Sequence, residues 1–255
     1  MWLQHLLSES ACRFGAKTAI VAGRQRYSYS ELDLKADRLA QALLGRGLKA
    51  GDCAVVFMDS CFEAVVSIFA VLKAGGVLVP IHPATGPDEL ASVLDDGHVT
   101  CLMTEARLAS VAATAMADGS TIRLVVLAGG NAPPTSQTCL SFDNAVSRGG
   151  AGAALVAAEV ESAPGMLVYE TASFGRRSPV TVARAEIVAA TEAALSSLAG
   201  GEEAVLLGVQ PMSSARHLYS MLAAVKVGAT MVLQRAAGAV EAPTAVALRN
   251  VAGVN

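Results

Sequence analysis

From Thr18 to Leu127 the chain alternates short β-branched runs with helical patterns of about 10–15 residues, a rhythm that predicts an α/β fold with a mostly parallel sheet and flanking helices. Thr18–Ala22 and Arg26–Tyr29 read as two strands around a turn at Gly23. Ser30 is the expected N-cap of the next helix, with Glu31 and Asp33 acidic in its first turn. Leu32, Ala36, Leu39, Ala40, Leu43 and Leu44 recur at helical spacing, and Gly45 and Gly47 end the run. Cys53–Met58 reads as a buried strand, Phe62–Ala74 as a helix stopped by Gly75-Gly76, and Val77–Ile81 as a strand stopped by Pro83. The helix Asp88–Leu94, strand Val99–Met103, helix Glu105–Ala117 and strand Ile122–Leu127 follow.

Gly129–Pro164 interrupts the alternation. It is rich in Gly, Ala, Ser, Thr and Pro, and reads as a long surface connection with a short helix near Phe142–Val146. Beyond it, Met166–Tyr169, Ala204–Val209 and Thr230–Leu233 read as strands, and Arg184–Leu198 and Leu218–Val227 as helices. Thr244–Asn250 carries a weak helical pattern. The expected organisation is a first α/β subdomain over residues 1–128, a connection over 129–164, and a partial, truncated second α/β subdomain over 165–255.

Composition excludes several classes of function. The formal net charge of −3 offers no basic field for nucleic acid or an anionic membrane. Hydrophobic residues make up 53% and charged residues 16%, a balance that suits a sheet covered on both faces or a face meant for a partner. The longest apolar run, Ala64–Ile81, is broken by Lys73, Gly75, Gly76 and Pro80, so no membrane span is expected. The first ten residues lack the basic region of a secretory signal, which points to the cytoplasm. Cys12, Cys53, Cys61, Cys101 and Cys139 form no C-x-x-C pair. They read as small buried hydrophobes in a reducing compartment, with no metal site and no disulfide framework. His5, His82, His98 and His217 lie in no nucleophile motif, and G-x-S-x-G is absent.

The segment Arg26–Pro83 resembles the adenylate-forming superfamily of acyl-CoA synthetases, non-ribosomal peptide adenylation domains and luciferases. The match lies in "RYSYSELDLKADRLAQALLGRGLKAGDCAVV" and "FAVLKAGGVLVPIHP", the latter similar to L-K-A-G-x-x-x-V-P-x-x-P through Leu72, Lys73, Ala74, Gly75, Val79, Pro80 and Pro83. The implied fold is the first subdomain and the start of the second subdomain of the family's N-terminal domain. These signatures shape a scaffold and carry no chemistry of their own.

The resemblance also places a phosphate loop, roughly Y-T-S-G-T-T-G-x-P-K-G-V, over Tyr169–Val180. Tyr169, Gly175 and Val180 match, and Thr171 and Ser173 are conservative. Glu170 stands where a hydroxyl is expected, Ala172 for a glycine, Phe174 for a threonine, Arg177 for the proline, Ser178 for the lysine and Pro179 for the last glycine. A phosphate cradle needs successive N–H groups turned toward the anion, often at φ > 0, which Ala172 reaches only with strain. Pro179 lacks a donor, and Glu170 adds charge of the wrong sign. The remaining candidates for anion contact are Thr171, Ser173, Gly175, Arg176 and Arg177; the alternative is a solvated loop with no ligand.

A second position departs as well. Near the acyl pocket the resemblance implies P-L-F-H, where this chain has Pro211-Met-Ser-Ser214, with His217 three residues on. The family's adenine-, ribose- and magnesium-binding segments and its catalytic lysine fall beyond Gly228–Leu233, which resembles the family's G-A-T-V-V-L strand. No catalytic residue, metal ligand or cofactor is therefore assigned. The expectation is a truncated, non-catalytic ligase-like protein, a binding or interaction module whose uncovered face meets a protein partner or a second copy. The alternative is an acyl-activating half-enzyme completed in trans, which would use ATP with Mg. A decayed fragment without a role is the third possibility.

Overall fold

The computed structural model describes residues 3–116, 121–130, 138–148, 163–171, 177–198, 200–235 and 247–248. The chain opens on α1 (Leu6–Phe14), which the sequence pattern did not announce, followed by β1 (Thr18–Ala22), β2 (Gln25–Ser28) and α2 (Tyr29–Gly45). Next come β3 (Cys53–Phe57), α3 (Phe62–Lys73), β4 (Val77–Ile81), α4 (Pro87–Asp96), β5 (Val99–Glu105), α5 (Ala109–Ala115) and β6 (Leu124–Ala128). Then β7 (Thr138–Ser141), α6 (Phe142–Arg148), β8 (Pro164–Thr171), β9 (Arg177–Ala183) and α7 (Arg184–Leu195) follow. Last are β10 (Val205–Gly208), α8 (Ala215–Val227), β11 (Thr230–Leu233) and β12 (Ala247–Leu248).

Two sheets organise these elements. One has seven strands in the order β7-β6-β5-β3-β4-β8-β9, all parallel except the β8–β9 pair. The other has five, in the order β12-β10-β11-β1-β2, with β10, β11 and β1 mutually parallel. One face of each sheet packs on a shared helical layer. Ile20, Leu206 and Met231 of the smaller sheet join Ala54, Met103 and Met166 of the larger one in a single core with α1, α2, α3, α7 and α8. The opposite face of the seven-stranded sheet, with Val55, Phe57, Val79 and Leu102, is closed by Leu90, Val93 and Leu94 of α4 and Ala112 of α5. The expected α/β class with a mostly parallel sheet is what forms, because strands apolar on both sides need helices on both sides.

Several local expectations change. The cap of α2 is Ser28, not Ser30: Ser28 Oγ accepts from Glu31 N at 3.2 Å, and Glu31 Oε2 accepts from Ser28 N at 2.7 Å. The earlier start follows from Tyr29, which is buried and donates its phenol O–H to Ala229 O at 2.6 Å. Within 129–164, β7 pairs with β6, and Phe142, Ala145 and Val146 of the expected helix are buried. Of the cysteines, Cys61 and Cys101 are buried, Cys53 and Cys139 half-buried, but Cys12 is exposed, on the solvent side of α1. Ala247–Leu248 is a strand against β10, whereas the rest of the weak pattern at 244–250 lies outside the described residues.

Lys73 of the L-K-A-G run is 5% exposed. Its ammonium lies 2.7 Å from Asp33 Oδ1, 2.5 Å from Asp37 Oδ1 and 2.7 Å from Ser8 Oγ. One buried cation thus joins α1, α2 and α3. Burial, opposed by Lys73, raises the pKa of Asp37.

Candidate functional site

The phosphate-loop stretch is a hairpin. β8 and β9 are antiparallel, with Tyr169 opposite Pro179, Glu170 opposite Ser178, and Thr171 opposite Arg177. Tyr169–Thr171 and Arg177–Val180 therefore belong to the stem, and the positions of the expected lysine and last glycine lie in β9, an edge strand with Ser178, Pro179 and Val180 exposed. An edge strand tolerates proline because one row of its backbone groups needs no partner. Thr171 and Arg177 are the paired positions nearest the turn end of the stem. The other candidates, Ser173, Gly175 and Arg176, lie outside the described residues.

The base of the hairpin is pinned. Tyr169 donates to Val93 O at 3.2 Å at the end of α4, and its pKa is pushed up to about 12 by burial, with Asp96 and Cys53 adding to the shift. A Cβ at Gly165 would stand 2.7 Å from Ile187 Cδ1 and 3.0 Å from Arg184 Cγ, so β8 meets α7 at glycine only. Arg184, 5% exposed, donates to Gly75 O at 2.8 Å and Gly76 O at 3.3 Å. Gly75 takes a φ of +73°, which a side chain resists, and a Cβ at Gly76 would sit 3.1 Å from Val71 Cγ1. The L-K-A-G-G turn and the hairpin are thus one structural unit.

The Pro211–Ser214 stretch leads into α8 beside a cavity of about 460 Å³. α7 contributes Ala190 and Ala194, β10 contributes Leu206, and Gln210, Arg216 and His217 come from the turn and the first helical residues. Ser214, which stands at the family's histidine position, directs its hydroxyl to Gln210 Oε1 at 3.3 Å. His217 is 5% exposed with Nε2 unpartnered among the described residues, and burial depresses its pKa to about 4. It packs on Gly208, where a Cβ would come 3.0 Å from its Cε1. His217 lies on the buried side of α8, against Gly208. Arg216 and Gln210 were not singled out by sequence reasoning; neither belongs to a recognisable motif.

A polar knot that sequence reasoning also missed sits at the carboxyl ends of the strands. Arg107 Nη2 lies 3.0 Å from Asp59 Oδ2 and 2.9 Å from Glu105 Oε1, and Arg235 of the other sheet reaches Glu105 Oε2 at 3.4 Å. Asp59 and Glu105 are both buried. These charges tie β3, β5 and the end of β11 together. Among the described residues no three His, Cys, Asp or Glu side chains gather as a metal would require, and no helix is long and apolar enough to cross a membrane.

The sequence profile of the AMP-binding enzyme family matches residues 7–251. The chain belongs to the AMP-binding enzyme family. Bacitracin synthase 1 of Bacillus licheniformis is 37% identical over 107 residues, covering 42% of this chain and 2% of the synthase. The apo structure of MbtA from Mycobacterium smegmatis superposes with a TM-score of 0.83 at 23% identity, over 92% of this chain and 44% of that one. A long-chain-fatty-acid-CoA ligase (FadD1) from Archaeoglobus fulgidus gives 0.80 at 20% identity, over 91% of this chain and 46% of that one. The chain spans a little under half the length of these two solved structures and a small share of the synthase. At such identities the superpositions speak for the fold, the N-terminal part of the adenylate-forming architecture.

Proposed function

We propose that this AMP-binding family member is non-catalytic and serves as a binding or interaction module. The observation that carries the reading is the make-up of the phosphate-loop hairpin. Ser178 stands at the position of the phosphate-binding lysine and Pro179 at that of the last glycine, both on an exposed edge strand. The described stem offers a triphosphate no lysine, and in the sequence Ala172 and Phe174 stand where the resemblance implies a glycine and a hydroxyl residue. These residues do not fit a nucleotide phosphate. Adenylation rests on positioning and on charge stabilisation of the transferring phosphorus, so no catalytic step is derived for this chain. In this reading the chain works in the cytoplasm and meets a protein partner or a second copy of itself.

The test is pyrophosphate release from ATP, magnesium and a panel of carboxylic acids. The expected result is no release above background, and turnover by the chain alone would sink the reading. A second reading is favoured by the coverage of 44–46% of MbtA and the FadD1 ligase: an acyl-activating half, completed by another polypeptide. Silence alone, followed by turnover when a polypeptide carrying the remaining half is added, would establish it. Light scattering addresses the partner: a well-behaved monomer at high concentration counts against a second copy.

A further inference from the structure

We propose that the crevice at the carboxyl ends of the two sheets takes up a small primary ammonium compound with an aromatic or short apolar body. Glu63 receives the ammonium, and the stacked rings of Tyr27 and Phe62 receive the body. This holds whether or not the chain releases pyrophosphate.

The topology places the crevice. In the order β7-β6-β5-β3-β4, the chain leaves β3 toward β4 on one side and leaves β5 toward β6 on the other. α3, which follows β3, packs in the core shared by the two sheets, and α5, which follows β5, packs on the opposite face. The connections diverge between β3 and β5, and a sheet wound in this way opens a crevice at the carboxyl ends of that pair. A cavity of about 250 Å³ lies there, between Cys61 and Glu63 after β3, Glu105 and Arg107 at the end of β5, and Arg235 after β11. A second, of about 370 Å³, adjoins it through Cys61, Glu63 and Arg235 and runs to Ala22 at the end of β1 and Tyr27 on β2. Both sheets thus turn the carboxyl ends of parallel strands toward one space. Neither cavity shares a lining residue with the one beside α8.

Charge decides the guest. Arg107 spans Asp59 and Glu105, and Arg235 reaches the second oxygen of Glu105, so these two carboxylates are paired. The third, Glu63, is half-buried, borders both cavities and has no cationic partner among the described residues. Burial, and after it the Glu63 carboxylate, raise the pKa of the Tyr27 phenol and of the Cys61 thiol, so neither ionises at neutral pH. Three carboxylates against two guanidiniums leave the place one positive charge short.

The wall of the larger cavity adds the rest. Tyr27 and Phe62 lie ring on ring, with centroids 3.5 Å apart and planes 6° apart, and both line it. Tyr27 donates its O–H to Gln25 Oε1, so the phenol oxygen keeps lone pairs for an N–H donor near Glu63. Aromatic faces also attract an ammonium. A carboxylate guest would meet Glu63 with repulsion while both guanidiniums are already engaged, and an alcohol would forgo the charge.

Titration calorimetry of the full chain with phenethylamine, 2-phenylethanol and 3-phenylpropionate, all without ATP, tests this. Phenethylamine is expected to bind about tenfold or more tightly than 2-phenylethanol, as a charge-assisted hydrogen bond implies, and 3-phenylpropionate more weakly than either. Glu63→Gln keeps the size of the side chain and should bring phenethylamine down to the level of 2-phenylethanol with an unchanged circular dichroism spectrum. Arg235→Ala removes a guanidinium that opposes a cation and should tighten phenethylamine about threefold, a gain that a misfolded variant cannot show. No phenethylamine binding, equal affinity for amine and alcohol, or tighter binding of 3-phenylpropionate would each overturn the proposal. So would an amine preference that survives Glu63→Gln, or no gain in Arg235→Ala.

Discussion

Arg184 donates from Nη2 to the carbonyl oxygen of Gly75 at 2.8 Å, joining residues 109 positions apart in the chain. The donor opens α7, directly after the phosphate-loop hairpin, and the acceptor closes the signature turn after α3. Arg184→Met keeps much of the side-chain volume but strips two buried carbonyls of a charged donor. It should destabilise the fold by about 2–3 kcal/mol in urea unfolding, and Arg184→Lys should recover less than half, because the shorter lysine stem does not carry its ammonium to the position of Nη2, the one nitrogen that serves both carbonyls.

Gly165 makes a companion case. A methyl group there would overlap Ile187 Cδ1 at 2.7 Å and press on Arg184. Gly165→Ala is expected to cost about 1–3 kcal/mol by overpacking. Pairing it with Ile187→Ala should return part of the loss, measured as a non-additive double-mutant cycle.

Lys73 pairs with two part-buried carboxylates. Lys73→Met leaves Asp33 and Asp37 facing each other without a cation and should cost about 3–5 kcal/mol at pH 7. Adding Asp33→Asn and Asp37→Asn should recover much of that, since no charge is then left unpaired; chemical denaturation of the single and triple variants decides it.

His217 gives the chain a pH dependence of defined sign. Its folded pKa is lowered from 6.5 to about 4, so below pH 6.5 the unfolded chain takes up a proton that the folded chain refuses. The stability contribution is present above pH 6.5 and is lost progressively as pH falls toward 4. Between pH 7 and pH 5 the loss should approach about 2 kcal/mol, at 1.36 kcal/mol per unit of pKa difference. His217→Leu should remove this component, seen as a flatter midpoint-against-pH curve over that range.

Much of the scaffold was legible because it is written in local patterns. The runs Cys53–Phe57, Val77–Ile81 and Leu124–Ala128 are strands that burial on both sides leaves continuously apolar, and they stand out without any partner in view. α1 and β9 were not seen. α1 has a short amphipathic pattern held by Ser8 and by tertiary packing, and β9 sits in a stretch that its resemblance to a phosphate loop marks as irregular. The start of α2 at Tyr29 was legible in the local Ser28-x-x-Glu31 capping box, and a buried hydrogen bond from Tyr29 to Ala229, 200 residues away, adds a tertiary anchor to it.

The site divides the same way. Residue identities alone, above all Ser178 and Pro179, set this stretch apart from the phosphate-loop pattern it resembles, because that difference is a matter of which side chains exist. Where those residues stand depends on strand pairing. So does the company that Arg216 and His217 keep: α7, β10 and α8 enclose the cavity only once the two sheets have closed on their shared helices. A charge without a partner and an imidazole without a hydrogen bond are properties of surroundings, and long-range packing alone creates them.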